Sequence, residues 1–342
     1  MQKNQSFEVE ARWGGIIFAI FLFITAYFFG EFKFFKIRIG KSFDDFLFFL
    51  LGAFVSACMV KEFSIKISPA RELIKGILGG VLFALGVLFL SGGTLYTLYF
   101  HLSHFTLAAL LGALGIVLGL FLGAKYQAWE VEKKASPGGI EIRLPRLNPL
   151  LALIGAASLL ILAYKDSFYL LLFALLGIVA ERSRLCLSIS SREFFFSGRA
   201  SVSQGIILSI ALFALAVFFY KHYQTWEVHI LKEPAWWISL LGGIFMGFSI
   251  ILMEADGISL LWKTGEGRVK ALFSLLAIIF CLKIFEIFRI NKILSSIETQ
   301  AIYLKTWLGP FGGPGIVIII SALFYLLTWY NSKTKKWVKP ML

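Results

Sequence analysis

Polar positions along the chain are gathered into short clusters, and between them lie apolar runs near the length a helix needs to cross a hydrocarbon core. The runs fall at roughly 14–30, 44–60, 76–92, 105–124, 148–164, 167–180, 203–220, 236–253, 269–288 and 311–330. Alternation with a period of two is missing, which argues against a barrel, whereas helices pair every backbone polar group within the segment. The pattern predicts an all-α polytopic membrane protein with about nine or ten membrane segments. Two runs are short. Residues 44–60 begin at Asp44 and Asp45 and run into Lys61 and Glu62, and residues 167–180 run into ERSRLCLSISSREFFF. Such runs fit re-entrant helices that enter the membrane and turn back, and equally fit tilted short spans. The first run is followed by GEFKFFK with no small-residue cleavage site, so it predicts a retained helix rather than a signal peptide.

An internal repeat organises these segments. LGGVLFALGVLFLSGG at 78–93 matches LGGIFMGFSIILMEAD at 241–256, and Lys61-Glu62-Phe63 matches Arg192-Glu193-Phe194 in the same order. Two pseudo-repeated halves follow, the second carrying an added segment at 203–220. The chain then divides into an N-terminal helix and connection (1–43), a first half (44–124), a polar linker rich in charge, Pro and Gly (125–149), a second half (150–288), and a C-terminal helix with a basic tail (289–342). Repeated halves suit transporters, whose sites form between them. Gly112, Gly115, Gly119 and Gly123 lie on one helical stripe, as expected where membrane helices approach closely.

Composition strengthens the membrane reading. Hydrophobic residues make up 58% and charged residues only 15%, below the quarter usual in soluble domains. The formal charge of +13 would suggest nucleic acid in a soluble protein. In a membrane protein it signals positive-inside bias and contact with the lipid bilayer, and no nucleic-acid motif is present. The tail NSKTKKWVKPML is expected to face the cytoplasm. Cys58, Cys186 and Cys281 form no disulfide framework, and His101, His104, His222 and His229 show no ligand spacing. No hydrolytic triad is evident, so neither an enzyme nor a cofactor is expected.

Two stretches carry candidate chemistry. Glu181, Arg182, Arg184, Arg192 and Glu193 surround Cys186 between apolar runs, where charge is costly unless paired or hydrated. They read either as an ordinary cytoplasmic loop or as an electropositive vestibule for an anion. In GISLLWKTGEGRVK at 257–270, Gly265 and Gly267 flank Glu266 in a turn, and Lys263 and Arg268 add positive charge. Asp256 closes the preceding apolar run.

These two stretches resemble the YeeE/YedE family of sulfur-transport membrane proteins. GIVAERSRLCLSISSREFF at 177–195 is similar to the family's Arg-x-Arg-x-Cys run followed by an Arg-acid pair, and the second stretch to its Arg-x-Gly-Glu-Gly turn. The resemblance covers most of 48–288. It implies an inner-membrane permease for a small sulfur-containing anion, thiosulfate above all, with selenium metabolism as a neighbouring association. It also implies a substrate path on which Cys186, with Cys58 as an inexact counterpart, offers a thiol. Arg182, Arg184, Arg192 and Lys263 would attract the anion, and the Gly265–Glu266–Gly267 turn would shape the path. Asp256 stands where the family often has a cysteine, and Ser91-Gly92-Gly93-Thr94 in the first half also lacks one. A carboxylate there is expected to repel an anion unless paired. The rival expectations are an accessory protein that holds or delivers sulfur or selenium, with a soluble cysteine-bearing carrier as partner, and a scaffold that has lost transport.

Overall fold

The computed structural model describes residues 2–28, 43–90, 98–99, 102, 106–133, 139–143, 147–165, 170–223, 232–288, 290, 298–300, 302 and 312–335. The Ser91–Thr94 stretch, His101, His104, His229 and the last residues of the basic tail lie outside them. The helices are α1 (Gln2–Phe28), α2 (Phe43–Met59), α3 (Ala70–Leu90), α4 (Leu107–Lys133), α5 (Asn148–Lys165), α6 (Leu171–Ser183) and α7 (Leu187–Arg192). A π-helical turn, Glu193–Ser197, continues α7. Then come α8 (Ser201–Tyr223), α9 (Trp236–Met253), α10 (Gly257–Gly265), α11 (Val269–Ile287) and α12 (Gly312–Thr334). Four short strands pair as two antiparallel ribbons: β1 (Ser64–Ile67) with β2 (Ile140–Arg143), and β3 (Lys232–Pro234) with β4 (Glu298–Gln300).

The chain is an all-α polytopic membrane protein, and the number of spans expected from hydropathy needs correction. Among the described residues six helical stretches, not nine or ten, are long and apolar enough to cross a membrane: Ala70–Leu90, Leu107–Glu130, Asn148–Lys165, Ser201–Phe219, Trp236–Gly265 and Gly315–Thr334. The physical reason is length and charge. A span needs about 20 apolar residues, whereas α6 has 13, and α1 and α2 supply only the shorter apolar stretches Ala11–Thr25 and Asp45–Met59. α11 carries Lys270, Lys283 and Glu286 within its 19 residues.

Close backbone approach sets the packing. α4 lies along α9, α3 along α9 and α11, α1 along α8 and α6, and α2 along α6, α5 and α10. The predicted glycine stripe of α4 is the seam with α9. A methyl group at Gly119 would sit 2.3 Å from the Ile244 carbonyl oxygen, and one at Gly247 would sit 2.2 Å from that of Ile116. Without a hydrophobic force between helices in lipid, such small faces gain the close contacts that hold helices together. Phe18, Phe48, Phe173, Phe213 and Trp262 fill the interior, while Leu153, Ile161 and Phe280 are exposed on outer faces suited to lipid tails.

The two triads read as repeat landmarks take different conformations. Lys61 follows α2 in the left-handed region, with φ 61°, whereas Arg192 is helical, with φ −63°. Arg184, Glu254 and Lys335 also end their helices in that region, with φ 53°, 58° and 53°. The expected linker 125–149 is partly structured: α4 continues through its first residues to Lys133, and β2 returns to pair with β1.

Candidate functional site

The site grows from the ends of α6 and α9. Both helices stop at a non-glycine residue in the left-handed region, Arg184 and Glu254, and both chains turn at once into a further helix, α7 and α10. Asp256 begins α10. Its carboxylate accepts the backbone N–H groups of Ile258 at 3.0 Å and Ser259 at 2.7 Å, and the Ser259 hydroxyl answers by accepting the Asp256 N–H, a reciprocal cap. The second carboxylate oxygen accepts the Leu187 N–H at 2.6 Å, the first amide of α7. One buried acid thus satisfies amide groups at the start of two helices, where negative charge is favoured. The acid that the sequence places awkwardly near an anion path is therefore fully paired.

Cys186 immediately precedes α7 and is completely buried. Lys263, two helical turns beyond Asp256 on α10, brings its ammonium Nζ to 3.4 Å from the Cys186 sulfur, and the same Nζ donates to the Glu254 carbonyl oxygen. Among the described residues no carboxylate oxygen lies within 4.0 Å of it. A cavity of about 10 Å³ abuts this cluster, lined by Tyr99, Leu185, Cys186, Asp256 and Ile258 among others. It is large enough for about one water.

A second cluster joins the ends of α2, α6 and α10. Glu62, Glu181 and Glu266 bring carboxylate oxygens within 4.8 Å of one another. Arginines hold them: Arg182 reaches Glu181 at 2.7 Å and Glu62 at 3.2 Å, Arg184 pairs with Glu62 and Glu266, and Arg268 reaches Glu266 at 2.9 Å. The Ser56 hydroxyl donates to Glu181 at 2.6 Å. Three acids could hold a cation by geometry, but guanidinium groups already face their oxygens. A third cluster carries Arg192, which lies 3.7 Å from Glu254 and 3.3 Å from the Gln127 side chain. Lys270 in turn bridges Glu254 and Glu72 at 3.3 and 2.7 Å.

The structure therefore separates the predicted site residues. Cys186 and Asp256 line the cavity, and Lys263 reaches the Cys186 sulfur from beside it. Arg182, Arg184 and Glu266 belong to the ion-paired cluster beside it, and Arg192 to the third cluster. Gly265 packs on α2, where an added methyl would sit 3.0 Å from the Leu50 oxygen and the Phe54 nitrogen. Gly267, at φ +92°, packs on β1. Cys58 is buried near the end of α2 and shares none of these contacts. Glu62 and Trp262 were not singled out as site residues from the sequence. Glu62 gave no signal beyond its place in the repeat landmark. Trp262 could have been found from its position beside Lys263 in an amphipathic segment.

Residues 182–341 match the model of a family described as sulphur transport. Over 235 residues the chain is 23% identical to the probable transporter YedE of Salmonella typhimurium and 22% identical to the probable transporter YedE of Escherichia coli. Each alignment covers 64% of this chain and 58% of the relative, so the chain spans less than two thirds of the length of these curated relatives. The similarity is to sulfur-transport membrane proteins at the level of a family.

Proposed function

We propose that the chain is an inner-membrane permease for a small sulfur-containing anion, with thiosulfate as the substrate. The observation that carries the reading is the buried Cys186 thiol 3.4 Å from a buried ammonium with no carboxylate oxygen within 4.0 Å among the described residues. The ammonium is held directly by a carbonyl and a thiol, with the Glu254 carboxylate acting on it from farther away, so an arriving anion would still offset part of the cost of burying it. The ammonium suits the oxygens of thiosulfate, and the thiol offers a weak donor to its terminal sulfur. Arg182, Arg184 and Arg192 already face carboxylates, so Lys263 is the stronger anion ligand. The small cavity has no room for the anion, so passage requires α7 and α10 to part around Cys186. The match to a family described as sulphur transport supports the substrate class, and the relatives, each a probable transporter, support transport.

The test is uptake of labelled thiosulfate by cells lacking their own sulfur uptake, with C186S and C186A beside the parent and membrane abundance measured for each. Both variants should lose most uptake while abundance holds. Parent-like uptake by both removes Cys186 from the path. Stable persulfide on Cys186 without uptake would instead assign the chain to sulfur delivery.

A further inference from the structure

Three successive residues around the thiol are each held by α10 or its cap. The Leu185 carbonyl oxygen accepts the indole N–H of Trp262 at 3.2 Å, the Cys186 sulfur meets Lys263, and the Leu187 N–H is taken by Asp256. Asp256 and Lys263 are seven positions apart, two turns of helix, and so share a face. Trp262, fully buried, sits beside that face. Its ring also lies between cations: Arg184 at 5.5 Å, Lys263 at 5.3 Å and Arg268 at 5.8 Å from the ring centroid, all within cation–π range. The indole thus connects the ion-paired cluster of Arg184 and Glu266 to the peptide that carries the cysteine.

We infer that α10 is a clasp on the Leu185–Leu187 connection, and that Trp262 is the positioning residue which sets the Cys186 thiol against the Lys263 ammonium. Arg184 has a left-handed φ, so the connection leaves α6 in a conformation that non-glycine residues rarely adopt and that its surroundings must hold. Phenylalanine at 262 keeps a ring for the cations but leaves the buried Leu185 carbonyl without its donor. The connection then loosens, and the thiol becomes more open to reagents and less well placed for an anion. The inference rests on Cys186 lying on the transport path for its functional meaning, but not for its geometry.

The test uses the full chain with Cys58 and Cys281 replaced by serine, which leaves Cys186 as the one thiol. Its alkylation by iodoacetamide in detergent is timed with and without W262F, and monodispersity is checked for each protein. Alkylation should accelerate about tenfold, the scale expected when a buried hydrogen bond is lost. In cells carrying W262F in the native chain, the concentration for half-maximal thiosulfate uptake should rise by a similar factor with the maximal rate nearly kept. If W262F is not monodisperse, D256N opens the clasp from the Leu187 side and must also speed alkylation. Unchanged alkylation in a folded variant overturns the clasp. Faster alkylation of W262F, when the parent itself takes up no thiosulfate, supports the clasp while removing the permease reading.

Discussion

Lys263 and Asp256 show how environment decides the role of a charged residue. By sequence both are charges beside an apolar run. In the structure Asp256 is answered by three backbone N–H groups, and Lys263 by one carbonyl and one thiol. The acid is therefore satisfied within the fold, while the ammonium keeps its charge available to a ligand. K263M should lower thiosulfate uptake by about 10- to 100-fold at unchanged abundance, because a hydrogen bond to a charged group contributes ~1.5–3 kcal/mol. Parent-like uptake by K263M would move the anion elsewhere. D256N keeps one acceptor but turns an amide donor toward backbone N–H groups. Loss of such a cap costs about 1 kcal/mol, so the thermal midpoint in detergent should fall measurably. The pairing of Asp256 was hidden in the sequence because its third partner, Leu187, lies 69 positions away.

At the scale of elements, apolar runs located the helices well. The expected segment 236–253 is α9, and 148–164 is α5 but for one residue. The runs marked 44–60 and 167–180 as short but did not reveal where a helix is interrupted, since hydropathy counts apolar residues and not where a turn such as Glu254–Asp256 falls. The β1–β2 ribbon was hidden for another reason: its strands have four residues each and lie far apart along the chain. The glycine turn was legible, but its docking surface was not. A side chain at Gly267 would combine φ +92° with a Cβ 2.6 Å from the Ser64 oxygen. G267A should cost ~1–3 kcal/mol and lower the thermal midpoint, and an unchanged midpoint would mean that β1 yields at no cost. Within the ribbon, Glu141 is held down to about 2, first by its hydrogen bond with Arg143 and then by that from the Ser64 hydroxyl. Its folded value lies below its ordinary one, so the contribution to the ribbon is complete above the ordinary carboxylate range and is lost as pH falls through about 2. The Glu141 carboxyl carbon should accordingly titrate near pH 2 by NMR. Titration in the ordinary range would show that these hydrogen bonds do not persist in solution.

For the molecule as a whole, charged residues at several helix ends meet at one end of the bundle. Arg71 and Lys75 begin α3, Glu130 lies near the end of α4, Arg182 and Arg184 close α6, and Arg268 and Lys270 open α11. Ion pairs tie these termini to one another across the helices. The last helix ends there too, because the Asn331 amide donates to the Phe194 carbonyl oxygen at 2.7 Å, just beyond Arg192. Lys333 lies in its last turn, and Lys335, Lys336 and Lys339 follow it. Short basic segments beside a span are retained in the cytoplasm, so the tail, the β1–β2 ribbon and the arginine clusters should all lie on that side. A reporter fused after Leu342 should then be active inside the cell. A second measurement is independent of the tail: R143C, at a side chain 76% exposed, in a chain whose three native cysteines are serine. In intact cells that thiol should react with a membrane-permeant maleimide and resist an impermeant one. Periplasmic activity of the reporter, or impermeant labelling of R143C, would reverse the orientation. A disagreement between the two would mean that α12 does not end beside the arginine clusters, and would undo the packing between Asn331 and Phe194 from which the shared orientation was argued.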